Sequence, residues 1–286
     1  MRASEWKLRT TTLQFGERPL LMGILNVTPD SFSDGGDYFS PSQAAERALR
    51  MEDDGADILD IGGESTRPYS EPVDESEELR RIEPVLAAIA DRVSIPISID
   101  TTKSAIAKVA LDLGAEIIND ISGLEKDPSM APLAAASKAG ICAMHMQGSP
   151  QDMQDDPKYD DVVEDVFTYL IARRDQLLRA GIEAERICLD PGIGFGKTHE
   201  HNIELIRNSQ RFFATSHPIL VGHSRKGFIG KLIGDKSEPR AIGSVAISLL
   251  LAQQKVHVLR VHDVKETKQA LDCFEGLGAL TSRLDP

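Results

Sequence analysis

Short β-branched or aliphatic runs recur along the chain at 20–25, 58–61, 96–99, 116–118, 141–144, 186–189, 218–221 and 258–261. Each has the length of a buried strand, and each is followed by a longer stretch with apolar residues at helical spacing. That alternation predicts βα units around a parallel sheet. Ser40-Pro41 reads as an N-cap with proline in the first helical turn, and Gly55, Gly114, Gly140 and Gly181 stand where helices are expected to stop. Eight units in roughly 250 residues match a (β/α)8 TIM barrel, an α/β fold, with an open doubly wound sheet as the competing arrangement. Residues 5–16 alternate weakly before the first run, which predicts a short N-terminal β-hairpin within 1–18 that caps the barrel floor. No composition break or linker interrupts 1–286, so one domain is expected.

The chain has 286 residues, 41% hydrophobic, with 32 basic and 45 acidic side chains and a net charge of −13. A charge of that sign disfavours general binding to nucleic acid or anionic membranes, so an anionic ligand requires a local basic pocket. The longest clean apolar stretch, 245–252, is too short to span a bilayer. Cys142, Cys188 and Cys273 are widely spaced and form no Cys-x-x-Cys pair, and the first ten residues hold no apolar signal core. Reduced thiols and a cytoplasmic location are expected.

A barrel places functional side chains where its strands end. Asn26, Asp60, Asp100, Asn119 with Asp120, His145, Asp190, Ser224-Arg225-Lys226 and Arg260 with His262 stand at or beside the ends of the eight runs. Asp100, Asn119 and Asp190 come from three strands and can meet one flat ligand; a carboxylate accepts two parallel N–H bonds, and an amide both donates and accepts. Lys226, Arg260 and His262 are donors suited to an anionic group. The pattern predicts acids gripping a heterocycle while cations on the opposite lip hold an anion. Look-alike motifs fail: Pro191 stands where a Walker loop over 192–198 needs glycine, and Lys226 replaces the second glycine of a nucleophile elbow. His199 and His201 read as a solvated helix start, and Met144 and Met146 as packing.

These residues resemble the dihydropteroate synthases of folate biosynthesis, pterin-binding TIM barrels. The resemblance rests on seven motifs in order, at 26–36 (NVTPDSFSDGG), 60–68 (DIGGESTRP), 118–120 (IND), 144–148 (MHMQG), 189–192 (LDPG), 224–226 (SRK) and 260–264 (RVHDV). It implies condensation of 6-hydroxymethyl-7,8-dihydropterin pyrophosphate with 4-aminobenzoate, and sulfonamides as mimics of the latter. By similarity, Asp100, Asn119, Asp190 and Lys226 hold the pterin with Met144 packed nearby. Asn26 joins a Mg²⁺ and pyrophosphate site with Thr66, Arg67, Arg260 and His262. Phe32, Asp34 and Pro68, on two mobile loops, build the aminobenzoate pocket with Phe195. The family is usually homodimeric.

The implied chemistry is dissociative: Arg260, His262 and Mg²⁺ stabilise the departing pyrophosphate, Asp100 and Asp34 favour the pterin cation, and the arylamine then attacks. Asp100, Lys226, Arg260, His262 and Asp34 are thus the residues expected to act on the reaction. Two departures stand out. Gly227 replaces a serine that in many members donates to the aminobenzoate carboxylate, and Tyr69 stands where the family often has glycine. Two other readings remain open: a pterin-binding methyltransferase acting on methyltetrahydrofolate and a corrinoid, and a pterin-binding module without catalysis. Neither would need the anion-binding residues gathered here.

Overall fold

The computed structural model describes residues 2–28 and 41–280. A two-stranded antiparallel hairpin, β1 (Glu5–Lys7) and β2 (Thr12–Gln14), precedes the barrel. The chain then runs β3 (Leu20–Asn26), α1 (Pro41–Asp53), β4 (Ile58–Gly62), α2 (Glu75–Ile89), β5 (Ile97–Asp100), α3 (Ser104–Asp112), β6 (Ile117–Asp120) and α4 (Met130–Ser137). It continues through β7 (Gly140–Met144), α5 (Val162–Arg179), β8 (Ile187–Asp190), α6 (His199–Arg207), β9 (Leu220–Val221), α7 (Gly227–Ile233), α8 (Ala241–Gln253), β10 (Val258–Val261) and α9 (Val264–Gly276). The strands pair in parallel in the order β8-β7-β6-β5-β4-β3-β10-β9. A parallel bridge between Leu189 and Ile219 joins the outer two, so the sheet closes on itself as the eightfold alternation predicts.

Local chemistry sets the helices. In α2, Asp74 accepts from the Glu77 amide at 2.8 Å, acids fill the first turn, and Ile82, Val85, Leu86 and Ile89 bury one face against the sheet. Thr198 caps α6 in a reciprocal box with His201, which gives that histidine a structural place at the helix start. Gly140 departs from expectation. It opens β7 instead of ending α4, because Lys138 already terminates that helix in the left-handed conformation (φ 56°). Glycine is needed at 140 for another reason: a Cβ there would lie 2.6 Å from Leu8 Cδ2.

That contact belongs to the hairpin's packing. Trp6 and Leu8, both essentially inaccessible, meet Met22, Ile58, Ile117, Cys142, Cys188, Leu220 and Val258, the lowest inward-facing residues of seven strands. The Trp6 indole donates to the Arg186 carbonyl at 2.9 Å. Side chains alternate along a strand, so two residues further on every strand the same inward face carries the next layer. This layer includes Asp60, Asn119, Met144, Asp190 and Arg260. The barrel interior therefore changes from apolar to charged in a single step.

Candidate active site

Arg260 organises the charged layer. Its Nε donates to Asp60 Oδ2 at 2.5 Å and its Nη2 to Asp100 Oδ2 at 2.6 Å, so one guanidinium spans strands β4 and β5 from β10. Asp60 Oδ2 also accepts from the Asn119 amide at 3.1 Å. Burial acts to lower the Arg260 pKa, but the facing carboxylates of Asp60 and Asp100 outweigh it and hold the guanidinium above its ordinary value. Burial pushes Asp100 up to about 7, with Arg260 opposing and Asp60, Glu78 and Asp120 adding to the rise. Acids and cations are thus interleaved, and the expected separation onto opposite lips is not found. In an interior this dry an unpaired carboxylate is costly, so the cation sits among the acids.

On the other side of the mouth, Asp190 ends β8 and accepts from the Gly192 amide at 2.7 Å. Burial raises its pKa, and the Lys226 ammonium opposes the rise. Lys226 Nζ donates to the Ile193 carbonyl and lies 4.5 Å above the Phe195 ring. Burial lowers its pKa to about 8. The turn carrying Phe195 depends on glycine: Gly194 has φ 85°, and a Cβ there would come within 2.8 Å of Lys226 Cδ. Phe195 packs with Met144, Ile121 and Met153 into an apolar cluster.

His262 follows β10. Its backbone N–H donates to Ser224 Oγ at 3.1 Å, and its ring Nδ1 shares a hydrogen bond with the same oxygen, also at 3.1 Å. Burial, then the charges of Arg260 and Arg225, hold the His262 pKa down to about 3, so the ring is neutral at physiological pH.

The mouth adjoins a cavity of 410 Å³ whose lining includes Thr66, Asp100, Ile121, Met146, Gln151 and Tyr169. The cavity reaches the charged layer at Asp100, whereas Asn119, Asp190 and Lys226 are not part of its wall. Thr66 lies in the loop after β4, which docks on the loop after β7. The Tyr69 amide donates to the Pro150 carbonyl at 2.8 Å, and the Tyr69 hydroxyl to Asp155 at 3.1 Å. Tyr69 has φ 63°, a conformation suited to glycine, which explains why glycine fits this place. Arg67 and Pro68 are exposed on the same loop, and Arg67 makes no side-chain hydrogen bond or ion pair among the described residues.

Asp100, Asn119, Met144, Asp190, Phe195, Lys226, Arg260 and His262 therefore share one mouth. Asn26 ends β3 at the same end and is half-buried. Phe32 and Asp34 lie outside the described residues. Sequence reasoning placed Asp60 among the strand-end polar residues but assigned it no contact, although a carboxylate inside the apolar run 58–61 is itself a signal that a buried partner must exist. It also missed Lys197, which is 2% exposed and contacts His145 Nδ1 at 3.0 Å and donates to the Phe195 carbonyl at 2.9 Å, tying the Phe195 turn to the end of β7.

A profile of the family described as pterin binding enzyme matches residues 22–262. Dihydropteroate synthase of Neisseria meningitidis serogroup C is 48% identical over 266 residues, 92% of this chain and 94% of its own length. The Yersinia pestis dihydropteroate synthase solved with a sulfonamide drug is 42% identical with a TM-score of 0.90, covering 96% of this chain and 99% of that one. The Burkholderia cenocepacia enzyme complexed with 7,8-dihydropteroate is 41% identical with a TM-score of 0.86, covering 98% and 99%. A closed barrel with this charged mouth and identities above 40% over nearly the full length lead to one assignment: the chain belongs to the dihydropteroate synthase family of pterin-binding transferases.

Proposed function

We propose that this chain condenses 6-hydroxymethyl-7,8-dihydropterin pyrophosphate with 4-aminobenzoate to give 7,8-dihydropteroate and pyrophosphate. The observation that carries the reading is the charged inner layer, where Asp100, Asn119 and Asp190 face one mouth together with Lys226 and Arg260. The Burkholderia cenocepacia relative, complexed with 7,8-dihydropteroate, supports the product.

In this reaction the methylene C–O bond to the pyrophosphate breaks, a C–N bond to the arylamine forms, and the amine gives up one proton. Asp190 and Asp100 accept from the pterin's amino and ring N–H groups. Asn119 spends one amide hydrogen on Asp60 and keeps the other, together with its carbonyl, for the ligand. Lys226 donates to the ligand once released from Ile193. Arg260 keeps its Nη1 hydrogens for the departing anion, and His262, in the tautomer whose Nδ1 accepts from Ser224, offers its Nε2–H. Both carboxylates favour the cation left when pyrophosphate departs first, and no covalent enzyme intermediate is required.

Asn26 offers one neutral amide, and among the described residues no group of three or more His, Cys, Asp or Glu could hold a metal. That donor set fits a Mg²⁺ that arrives on the pyrophosphate and takes Asn26 as a protein ligand. Such an ion supplies charge neutralisation to the leaving group.

We further propose a cytoplasmic homodimer. Cys142 and Cys188 face each other on neighbouring strands as free thiols, a state kept in a reducing compartment. No helix among the described residues is long and apolar enough to cross a membrane. In α8 Ser244 and Ser248 are buried beside Leu251 and Ala252 while Ile242 is 85% exposed, and Leu232 and Ile233 of α7 extend the exposed apolar surface. A second copy would cover it.

Pyrophosphate release measured with and without 4-aminobenzoate tests the reaction. Release that depends on 4-aminobenzoate and is abolished in Asp190→Asn is expected. Pterin binding without release would instead favour the non-catalytic module, and methyl transfer to a corrinoid the methyltransferase.

A further inference from the structure

Three guanidinium groups bear on the His262 ring, those of Arg260, Arg225 and Arg47, against one carboxylate, Asp263. Two of the three have partners. Arg260 is held by Asp60 and Asp100, and Arg225 binds both oxygens of Asp263. Arg47, on α1, makes no hydrogen bond or ion pair among the described residues although it is only partly accessible. Burial lowers its pKa, the nearby charges of Arg225 and Arg50 lower it further, and the Asp263 carboxylate opposes them.

Arg47 lines a cavity of 220 Å³ between α1 and the start of α9, and His262 is part of the same wall. Arg50 and Lys265 add positive charge, and Asp54 and Glu266 also contribute to the lining. Asp263 precedes α9 but makes no side-chain capping bond, because Arg225 occupies its carboxylate. The cavity thus adjoins the proposed pyrophosphate site at His262 and holds a half-buried guanidinium that, among the described residues, is bonded to no carboxylate, its nearest acid, Asp263, being held by Arg225. A polyanion would supply a counter-charge.

We propose that Arg47 is a further ligand of the pyrophosphate leaving group, binding its distal phosphoryl from the α1 side of His262 and so selecting diphosphate over monophosphate esters. The inference rests on the reaction proposed above and extends its anion site to a residue outside the strand ends. Arg260 and His262 are then left for the phosphoryl nearer the scissile bond.

Calorimetric titration of the full chain with inorganic pyrophosphate plus magnesium, and separately with unphosphorylated 6-hydroxymethylpterin, tests this. Arg47→Gln should weaken pyrophosphate binding at least tenfold, Arg47→Lys should recover part of the loss, and the affinity for 6-hydroxymethylpterin should stay within twofold of wild type. In turnover, the KM for the pterin pyrophosphate should rise while that for 4-aminobenzoate stays within twofold. Arg50→Gln, which removes a more exposed charge of the same cavity, should change pyrophosphate affinity less than threefold. Unchanged pyrophosphate affinity in Arg47→Gln, or an equal loss for both ligands, overturns the proposal. Wild-type protein that binds pyrophosphate through Arg47 yet releases none during turnover would sink the proposed reaction and leave the Arg47 contact standing.

Discussion

By the resemblance Gly227 stands where many members of the family carry a serine, at a proposed substrate contact, and its replacement by serine gives the sharpest prediction. Gly227 opens α7 directly after Lys226, the helix has no side-chain cap, and the position is exposed. A Cβ built there meets nothing within 4 Å, and the backbone is outside the positive-φ region, so serine enters without strain. Its hydroxyl would stand beside Lys226, whose Nζ lies over Phe195, at the wall proposed for 4-aminobenzoate. A hydrogen bond to a charged carboxylate contributes about 1.5–3 kcal/mol. Solvent access and the ordering of the hydroxyl reduce this to about 1–2 kcal/mol, or roughly a fivefold to thirtyfold lower KM. The assay is steady-state turnover at saturating pterin pyrophosphate, with the KM for the pterin substrate as internal control. The KM for 4-aminobenzoate should fall while the control stays constant, and the inhibition constant of a sulfonamide should fall with it. Serine also suits an early helical position better than glycine, so Tm should not drop. An unchanged or higher KM for 4-aminobenzoate in a protein of undiminished Tm would refute the reasoning.

The pH dependence of kcat/KM should be bell-shaped. Asp100 becomes an acceptor as pH rises through about 7, and Lys226 loses its charge as pH rises through about 8, so activity should climb through the first value and decline through the second; a flat profile from pH 6 to 9 would contradict this. Asp60→Asn removes one charge that raises Asp100, so the rising limb should move to lower pH. The same change weakens a buried ion pair at a cost of about 3 kcal/mol, lowering Tm by roughly 5–10 °C, and an unmoved limb in a pH titration would argue against the coupling. Ile242→Glu places a charge on the apolar face of α8 and should convert a dimer to monomers in sedimentation; a monomeric wild type would remove the case for that interface.

Much of the fold was legible in the sequence because hydrophobic period is a local property. The eight apolar runs coincide with the eight barrel strands to within a few residues, and the polar residues at their ends gather at one mouth because parallel strands present all their C-terminal ends together. Gly140 was misread because its reason is tertiary: Leu8, more than a hundred residues earlier, occupies the space a side chain would need.

The sequence by itself determined the order of elements, the inward alternation and the set of acids, amides and cations available to the site. Only the tertiary structure decided which charges pair. Arg260 reaches Asp60 and Asp100 across 200 and 160 residues, and Arg225 takes both oxygens of Asp263 while Arg47, among the described residues, bonds no carboxylate. Strand patterning is fixed by neighbours a few residues apart, whereas ion pairing in a dry interior depends on which side chains closure of the barrel brings within 3 Å of each other, and on the desolvation that makes every unpaired charge there costly.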